Sequence, residues 1–117
     1  MPIATKYLFF ASMDVASEKE ALFNEVYDQE HVPALLKVPG VISVSRLKQE
    51  PLEMMLGGER RTITAEGEPA YTAIYEIESP EVLVSAEWAA AVEAGRWPGE
   101  VRPHTKNRRH VLRKVME

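Results

Sequence analysis

The sequence predicts an α+β fold in which strands and helices follow one another in the order β-α-β-β-α-β. Two observations support this prediction: four runs rich in β-branched and aromatic residues, and two stretches in which apolar residues recur at helical spacing. This order is typical of the ferredoxin-like arrangement, in which both helices cover one face of an antiparallel four-stranded sheet. The chain, residues 1–117, has the length of one domain with one core.

The first half of the chain predicts one strand followed by one helix. Residues 3–12, "IATKYLFFAS", are almost continuously apolar, which is typical of a strand covered on both faces. Ser17 and Glu20 match the S-x-x-E capping box of a helix start. Apolar residues then recur at helical spacing, at Leu22, Phe23, Val26 and Tyr27. We therefore predict a helix from about residue 18 to 31, with one further turn that begins at Pro33.

The second half of the chain predicts three strands and one helix. The strands lie at 41–49, 70–79 and 104–116. The helix between the last two begins at Ser79-Pro80-Glu81, where a capping residue precedes a proline and an acid, and ends at Gly95. Residues 50–69 show no clear period. A connection of this length is usually functional or disordered, and part of it can form a hairpin extension.

The sheet of this arrangement leaves one face uncovered by helices. Many residues predicted to lie on that face are apolar. Because large exposed apolar patches are rare on monomers, we expect a second copy of the chain to cover it in a homodimer.

The distribution of charge argues against nucleic acid as a partner. The net charge is −4, and residues 1–101 hold 8 Lys/Arg against 17 Asp/Glu, a balance of −9. The last residues, 102–117, hold 6 Lys/Arg against Glu117, a balance of +5. This basic end is explained by a solvated strand face or, alternatively, by a site for an anion or a partner.

The residue types present also limit the chemistry and the location of the protein. There is no cysteine, which excludes disulfides, thiolate metal sites and a cysteine nucleophile. The first residues lack the pattern of a signal peptide, and no apolar run approaches the ~20 residues of a membrane helix. We therefore expect a cytoplasmic protein with no membrane partner.

One stretch resembles a known superfamily. Within "FNEVYDQEHVPALLKVPGVISVSRL", the sequence is similar to the dimeric α/β-barrel superfamily and looks most like its EthD-like branch. The positions that match are Asn24, Glu25, Tyr27, Asp28, Glu30, His31 and Pro33, followed by Pro39-Gly40. The later "YEIESPEVLVSAEW" looks like the third strand and second helix of such proteins. The resemblance covers residues 3 to 115.

The resemblance implies a homodimer whose two sheets pack face to face, with a small pocket between sheet and helices in each subunit. Members of the superfamily include cofactor-free monooxygenases, muconolactone isomerases, polyketide cyclases and haem-binding enzymes. Others have no known activity, so the fold alone does not define the reaction.

The candidate catalytic residues lie on one stripe of the first helix. Asn24, Tyr27, Asp28 and His31 are spaced i, i+3, i+4 and i+7. Asp28 lies one turn before His31, where its carboxylate is expected to orient the imidazole and raise its pKa, as a general base needs. The alternative is that the helix dipole alone favours a histidine in the last turn, and that Tyr27 is a core residue.

Other residues are candidates for substrate binding or for pocket walls. Tyrosines on strands can hold a phenolic or carbonyl oxygen, although most are core residues with one satisfied hydroxyl. Arg102 and His104 are candidates for an anionic group, or are surface residues. The full set comprises Asn24, Tyr7, Tyr71, Tyr75, Trp88, Trp97, Arg102 and His104. His110 alternates with Leu112 and Met116 and is expected to face the dimer interface.

No sequence motif indicates a cofactor or a metal. There is no H-x-H or H-E-x-x-H pair, no phosphate-binding loop and no G-x-S-x-G turn. The first hypothesis is therefore a cofactor-free enzyme that moves protons on a small aromatic or polyketide-like substrate, as an isomerase, dehydratase, cyclase or lyase. The alternatives are a cofactor-free monooxygenase, a non-catalytic ligand-binding homodimer, and a partner-binding module that uses the basic last strand.

Overall fold

The structure, a computed structural model, describes residues 3–116. Its strands are β1 (Tyr7–Val15), β2 (Val41–Lys48), β3 (Leu52–Leu56), β4 (Glu59–Ile63), β5 (Tyr71–Ile77) and β6 (Thr105–Lys114). Four of them form an antiparallel sheet in the order β2-β5-β1-β6. With the helices packed on one face, this arrangement confirms the predicted ferredoxin-like α+β fold.

The first helical segment is continuous where the sequence predicted a helix that ends near residue 31 and a new turn at Pro33. The helix α1 (Glu20–Val26) continues through a π turn, Tyr27–His31, into α2 (Val32–Leu36). In the π turn the N–H of Val32 donates to the carbonyl of Tyr27, five residues earlier. A wider turn accommodates the proline ring at position 33, because proline has no N–H and crowds the carbonyl four residues before it. His31 therefore lies inside a helical segment and not at its end.

The predicted capping box at Ser17 and Glu20 is wrong. A short 3-10 turn, Ser17–Lys19, precedes α1, and no side chain caps either segment. The carboxylate of Glu20 instead accepts a hydrogen bond from the hydroxyl of Tyr71. The side chain is therefore used to join the helix to the sheet.

The second helical segment is more broken than predicted. A 3-10 turn, Pro80–Val84, precedes α3 (Ala86–Ala91), and Ser85 caps α3 by accepting from the Trp88 N–H at 3.1 Å. The predicted loop after Gly95 contains a π turn, Trp97–Val101, and a 3-10 turn, Arg102–His104. These turns bring Trp97 and Arg102 over the sheet.

Residues 50–69 contain the hairpin extension that the sequence analysis allowed. Strands β3 and β4 pair only with each other, as a separate two-stranded sheet. Gly57 and Gly58, with φ of 60° and 81°, make the turn, as expected for two-residue hairpin loops that need positive φ. Nearly all side chains of the hairpin are exposed.

The core lies between the helical layer and one face of the sheet. Strand β5 alternates as expected: Tyr71, Ala73, Tyr75 and Ile77 are buried, and the residues between them are only half-buried.

Residues 3–116 contain no helix that is long and apolar enough to cross a membrane. They also contain no group of three or more acidic or histidine side chains arranged to hold a metal ion.

Candidate active site

A cavity of about 300 Å³ lies between the helical layer and the buried face of the sheet. Seven aromatic side chains line it: Phe9, Tyr27, Tyr75, Trp88, Trp97 and the imidazoles of His31 and His110. A larger depression of about 630 Å³ lies on the opposite, open face of the sheet. We place the candidate site in the smaller cavity, because the buried titratable groups lie there.

His31 is the central group of this cavity. The π turn directs its ring inward, where the residue is only 5% exposed. The imidazole stacks on Trp97 with ring centroids 4.3 Å apart, and the edge of Tyr27 lies 5.0 Å away. Its Nδ1 is buried and has no hydrogen-bond partner among residues 3–116. A buried imidazole nitrogen without a partner is costly and is therefore a candidate for ligand binding.

The surroundings of His31 keep the ring neutral. Burial and, to a smaller extent, the positive charge of Arg102 together lower its pKa to about 4. The sequence analysis expected the opposite shift, caused by Asp28. At neutral pH the imidazole is unprotonated and able to accept a proton.

Two tyrosine hydroxyls meet beside the cavity. The oxygens of Tyr27 and Tyr75 are 3.0 Å apart, and both residues are almost fully buried. Burial raises the pKa of Tyr27, and it raises that of Tyr75 well above the ordinary value, with the neighbouring Tyr27 adding to the effect. Both side chains therefore remain phenols, and each can donate one hydrogen bond.

Asp28 and Asn24 do not contribute to this cavity. Arg46 of β2 binds both of them, with Nη1 2.8 Å from Asp28 Oδ1 and Nη2 2.8 Å from Asn24 Oδ1. Its guanidinium also lies 4.5 Å from the centre of the Tyr27 ring. The predicted Asp28–His31 pair is therefore wrong, because a cation from a strand that is distant in sequence takes the carboxylate.

The remaining predicted residues divide into two groups. Tyr75, Trp88, Trp97 and Arg102 line the cavity. Tyr7, Tyr71 and His104 are not part of its lining. The Tyr7 ring lies near Lys114, the Tyr71 hydroxyl bonds Glu20, and His104 contributes its backbone carbonyl to Ala16.

Sequence reasoning missed the wall formed by β1 and β6. His110 lies on the helix side of the sheet, where its ring is parallel to that of Phe9 with centroids 5.9 Å apart. The expectation that it faces a dimer interface is wrong, because the register pairs His110 with Ala11 on the cavity face. Alternation along β1 also groups Phe9, Ala11 and Met13, a signal that was available in the sequence.

Comparison with known proteins supports the fold but not an activity. No protein-family model and no curated protein matches the chain. Among solved structures, the haem-degrading MhuD of Mycobacterium tuberculosis is 14% identical with a TM-score of 0.61, and the match covers 95% of this chain and 96% of that one. SnoaB, a cofactor-independent oxygenase of Streptomyces nogalater, is 14% identical with a TM-score of 0.60 and coverage of 96% and 94%.

A third similar structure bears on the predicted branch. An EthD family protein from Bacillus halodurans is 13% identical with a TM-score of 0.57, covering 94% of this chain and 99% of that one. Together these likenesses show that the chain shares the ferredoxin-like fold of these proteins. Fold and site thus define a ferredoxin-like α+β protein with an aromatic cavity built around a buried, neutral histidine.

Proposed function

We propose that the protein is a cofactor-free enzyme that accepts a flat aromatic or polyketide-like substrate in this cavity and begins the reaction by moving a proton to His31. The observation that supports the proposal best is the neutral imidazole, which is buried, lacks a hydrogen-bond partner among residues 3–116 and lies in an aromatic cavity. The cavity volume lies at the lower end of the range of ligand sites, which suits a substrate of two or three rings.

The residues of the cavity have complementary roles in this proposal. Aromatic walls bind the substrate rings, and His31 removes a proton from a phenolic hydroxyl or an activated C–H. The hydroxyl pair of Tyr27 and Tyr75 donates a hydrogen bond to the oxygen on which negative charge develops. A positioned acid or base of this kind contributes typically about 10²–10⁴-fold to a rate.

Among the possible reactions, oxygenation is supported by the similarity of the fold to SnoaB, which is a cofactor-independent oxygenase. An activated CH₂ of the substrate would lose one proton to His31, and the carbanion would reduce O₂ to form a C–O bond. Breaking the O–O bond then gives a ketone and one molecule of water, which accounts for both oxygen atoms and both hydrogens. The substrate supplies all the electrons, so this step needs no further reductant.

The same first step also serves isomerisation, dehydration, cyclisation or lyase cleavage. In those reactions His31 returns the proton to another atom, and O₂ is not consumed. Non-catalytic ligand binding is a second candidate, and two observations favour it. No carboxylate of residues 3–116 bonds Nδ1 of His31, and an imidazole with a pKa of about 4 is a weak base.

A porphyrin fits the cavity less well than a small aromatic molecule does. MhuD holds two haems in its active site, and a histidine is a common ligand of haem iron. The volume of about 300 Å³ is too small for a complete tetrapyrrole, and the His31 ring stacks closely on Trp97. We therefore assign no haem-dependent step to these residues.

The experiment that tests the proposal measures turnover of anthrone in an oxygen electrode, with the product identified by mass spectrometry. We expect His31→Gln to lower the rate by about 100-fold or more. His104→Gln, which changes a histidine outside the cavity, is the control and should keep the wild-type rate. A His31→Gln variant that remains fully active would refute the proposal, and turnover without O₂ consumption would indicate the proton-transfer reactions.

A further inference from the structure

The wall of the aromatic cavity is unusually poor in negative charge. The chain has 18 acidic and 14 basic residues, so acids predominate overall. Among residues 3–116 the cavity lining nevertheless contains no Asp or Glu, and its charged side chains are those of Arg102 and Arg108. A cavity bordered by cations and by neutral rings favours an anionic ligand, because uncompensated positive charge at its wall attracts one.

The two arginines differ in how far their charge is already compensated. Arg102 donates to Glu93 at 3.1 Å and to the carbonyl of Val92 at 2.8 Å, and Glu93 also forms an ion pair with it. Arg108 forms no hydrogen bond or ion pair through its side chain with any of residues 3–116. Its neighbour Arg109, by contrast, pairs with Glu68 at 3.2 Å on the open face.

The register of β6 explains why Arg108 and His110 act on the cavity together. His110 is paired with Ala11, a residue of the cavity lining, and Arg108 lies two residues earlier on the same face of the strand. The His110 ring is parallel to Phe9, which in turn lies 5.8 Å from Trp88. A cation and an aromatic surface that can bind a flat ring therefore line the same cavity.

We propose that Arg108, with His110 beside it, binds the carboxylate of an aromatic acid, and that this acid is the substrate class of the enzyme. The guanidinium holds the carboxylate at the rim, and the ring lies against Phe9 and Trp88 in the direction of His31. This inference rests on the proposed function, because it names the substrate of the same cavity. It also explains how a weakly basic His31 could act, since a nearby anion stabilises its protonated form.

The test compares two probes of the same size that differ in charge, 2-naphthoate and 2-naphthol, near neutral pH. Trp88 and Trp97 are the two tryptophans of the chain, and both line the cavity, so their indole N–H resonances report binding there. We expect naphthoate to bind the wild type more tightly than naphthol does. Arg108→Gln should weaken naphthoate about tenfold and leave naphthol unchanged, as expected for one charge-assisted contact at a partly exposed site.

Arg109→Gln is the matched control, because it removes the same charge from the adjacent position on the opposite face. It should leave both affinities unchanged. Two results would overturn the anion site: equal affinities of the two probes for the wild type, or an Arg108→Gln variant that binds naphthoate as tightly as the wild type. Either result leaves the proposed function intact as long as naphthol binds in the cavity. If neither probe shifts the indole resonances, both the anion site and the proposed function are wrong.

Discussion

The environment of His31 has a cost in stability that can be measured. The imidazole is enclosed by Trp97 and Tyr27, and its Nδ1 receives no hydrogen bond from residues 3–116. A buried polar atom of this kind costs about 1–3 kcal/mol relative to one that is paired. Proteins keep such unfavourable features mostly where function requires them, which is consistent with a ligand-binding role for this residue.

The first prediction concerns stability and pH. In the unfolded chain His31 titrates near its ordinary pKa of about 6.5, and in the folded protein its pKa is about 4. The unfolded chain therefore binds more protons between these values. The contribution of His31 to stability is complete above about pH 6.5 and is lost as the pH falls toward 4, by about 2 kcal/mol at pH 5.

Urea unfolding at pH 7 and pH 5 measures this loss. His31→Leu removes the titrating group. The free energy of unfolding should therefore differ between pH 7 and pH 5 by about 2 kcal/mol less in this variant than in the wild type. Equal pH dependence in the wild type and in His31→Leu would show that the imidazole is not held neutral by the fold.

The second prediction concerns the tyrosine pair. The hydroxyls of Tyr27 and Tyr75 bond each other in a buried site, so removing one leaves the other without its partner. We expect Tyr27→Phe and Tyr75→Phe each to lower the free energy of unfolding by about 1–2 kcal/mol. The double variant should lose about 1 kcal/mol less than the sum of the two. If denaturant unfolding shows that the losses of the two single variants simply add in the double variant, the hydrogen bond between the two hydroxyls is contradicted.

At the scale of elements, helices and strands were largely predictable from local pattern, and their ends were not. Runs rich in β-branched and aromatic residues located the four sheet strands, and helical spacing located the helices. The capping box failed because Tyr71, more than 50 residues away in sequence, takes the Glu20 carboxylate. The break expected at Pro33 is absent because a π turn accommodates the proline. Both errors come from interactions that local sequence does not specify.

The third prediction concerns the junction between α2 and β2. Gly40 has φ of 95°, and a Cβ at this position would clash with Cγ2 of Val82. Gly40→Ala therefore combines backbone strain with a steric clash, and we expect it to lower the free energy of unfolding by about 2–4 kcal/mol. Gly57→Ala is the control, because φ is also positive there but no atom lies within 4 Å. It should cost about 1 kcal/mol. Equal losses would contradict the packing of Gly40 on Val82.

At the scale of the whole molecule, one sheet and one helical layer give a body only 19 Å thick, and the second face of the sheet has no cover from residues 3–116. Apolar side chains on that face line the larger depression, among them Phe10, Leu47, Ile74 and Val111. The superfamily resemblance implies a homodimer, and this face is where we expect the second copy to pack.

The fourth prediction tests that expectation. We expect the wild-type chain to sediment as a dimer at equilibrium, and Ile74→Glu, which places a charge in the middle of the open face, to sediment as a monomer. Val84→Glu is the control, because Val84 is 83% exposed and lies outside that face. It should leave the oligomeric state unchanged. A wild-type chain that sediments as a monomer would show that the face is not a dimer interface.

The candidate site was predictable only in part, and the reason is long-range pairing. Helical spacing identified Tyr27 and His31, and the composition of the second half identified Trp88, Trp97 and Arg102. The role of Arg46 and the positions of Arg108 and His110 depend on which strands are neighbours and in what register. A shift of one residue in register would have moved His110 to the other face.

The most direct test of the central claim is an NMR titration of His31 in the wild type, free and with 2-naphthoate, using His31→Gln to assign the resonance. A pKa of about 4 in the free protein that rises when the ligand binds is the result we predict, because it shows a buried imidazole at the wall of an occupied cavity. A pKa near 6.5 that does not respond to the ligand would contradict the account, because His31 would then be a solvated helix residue with no role in binding or proton transfer.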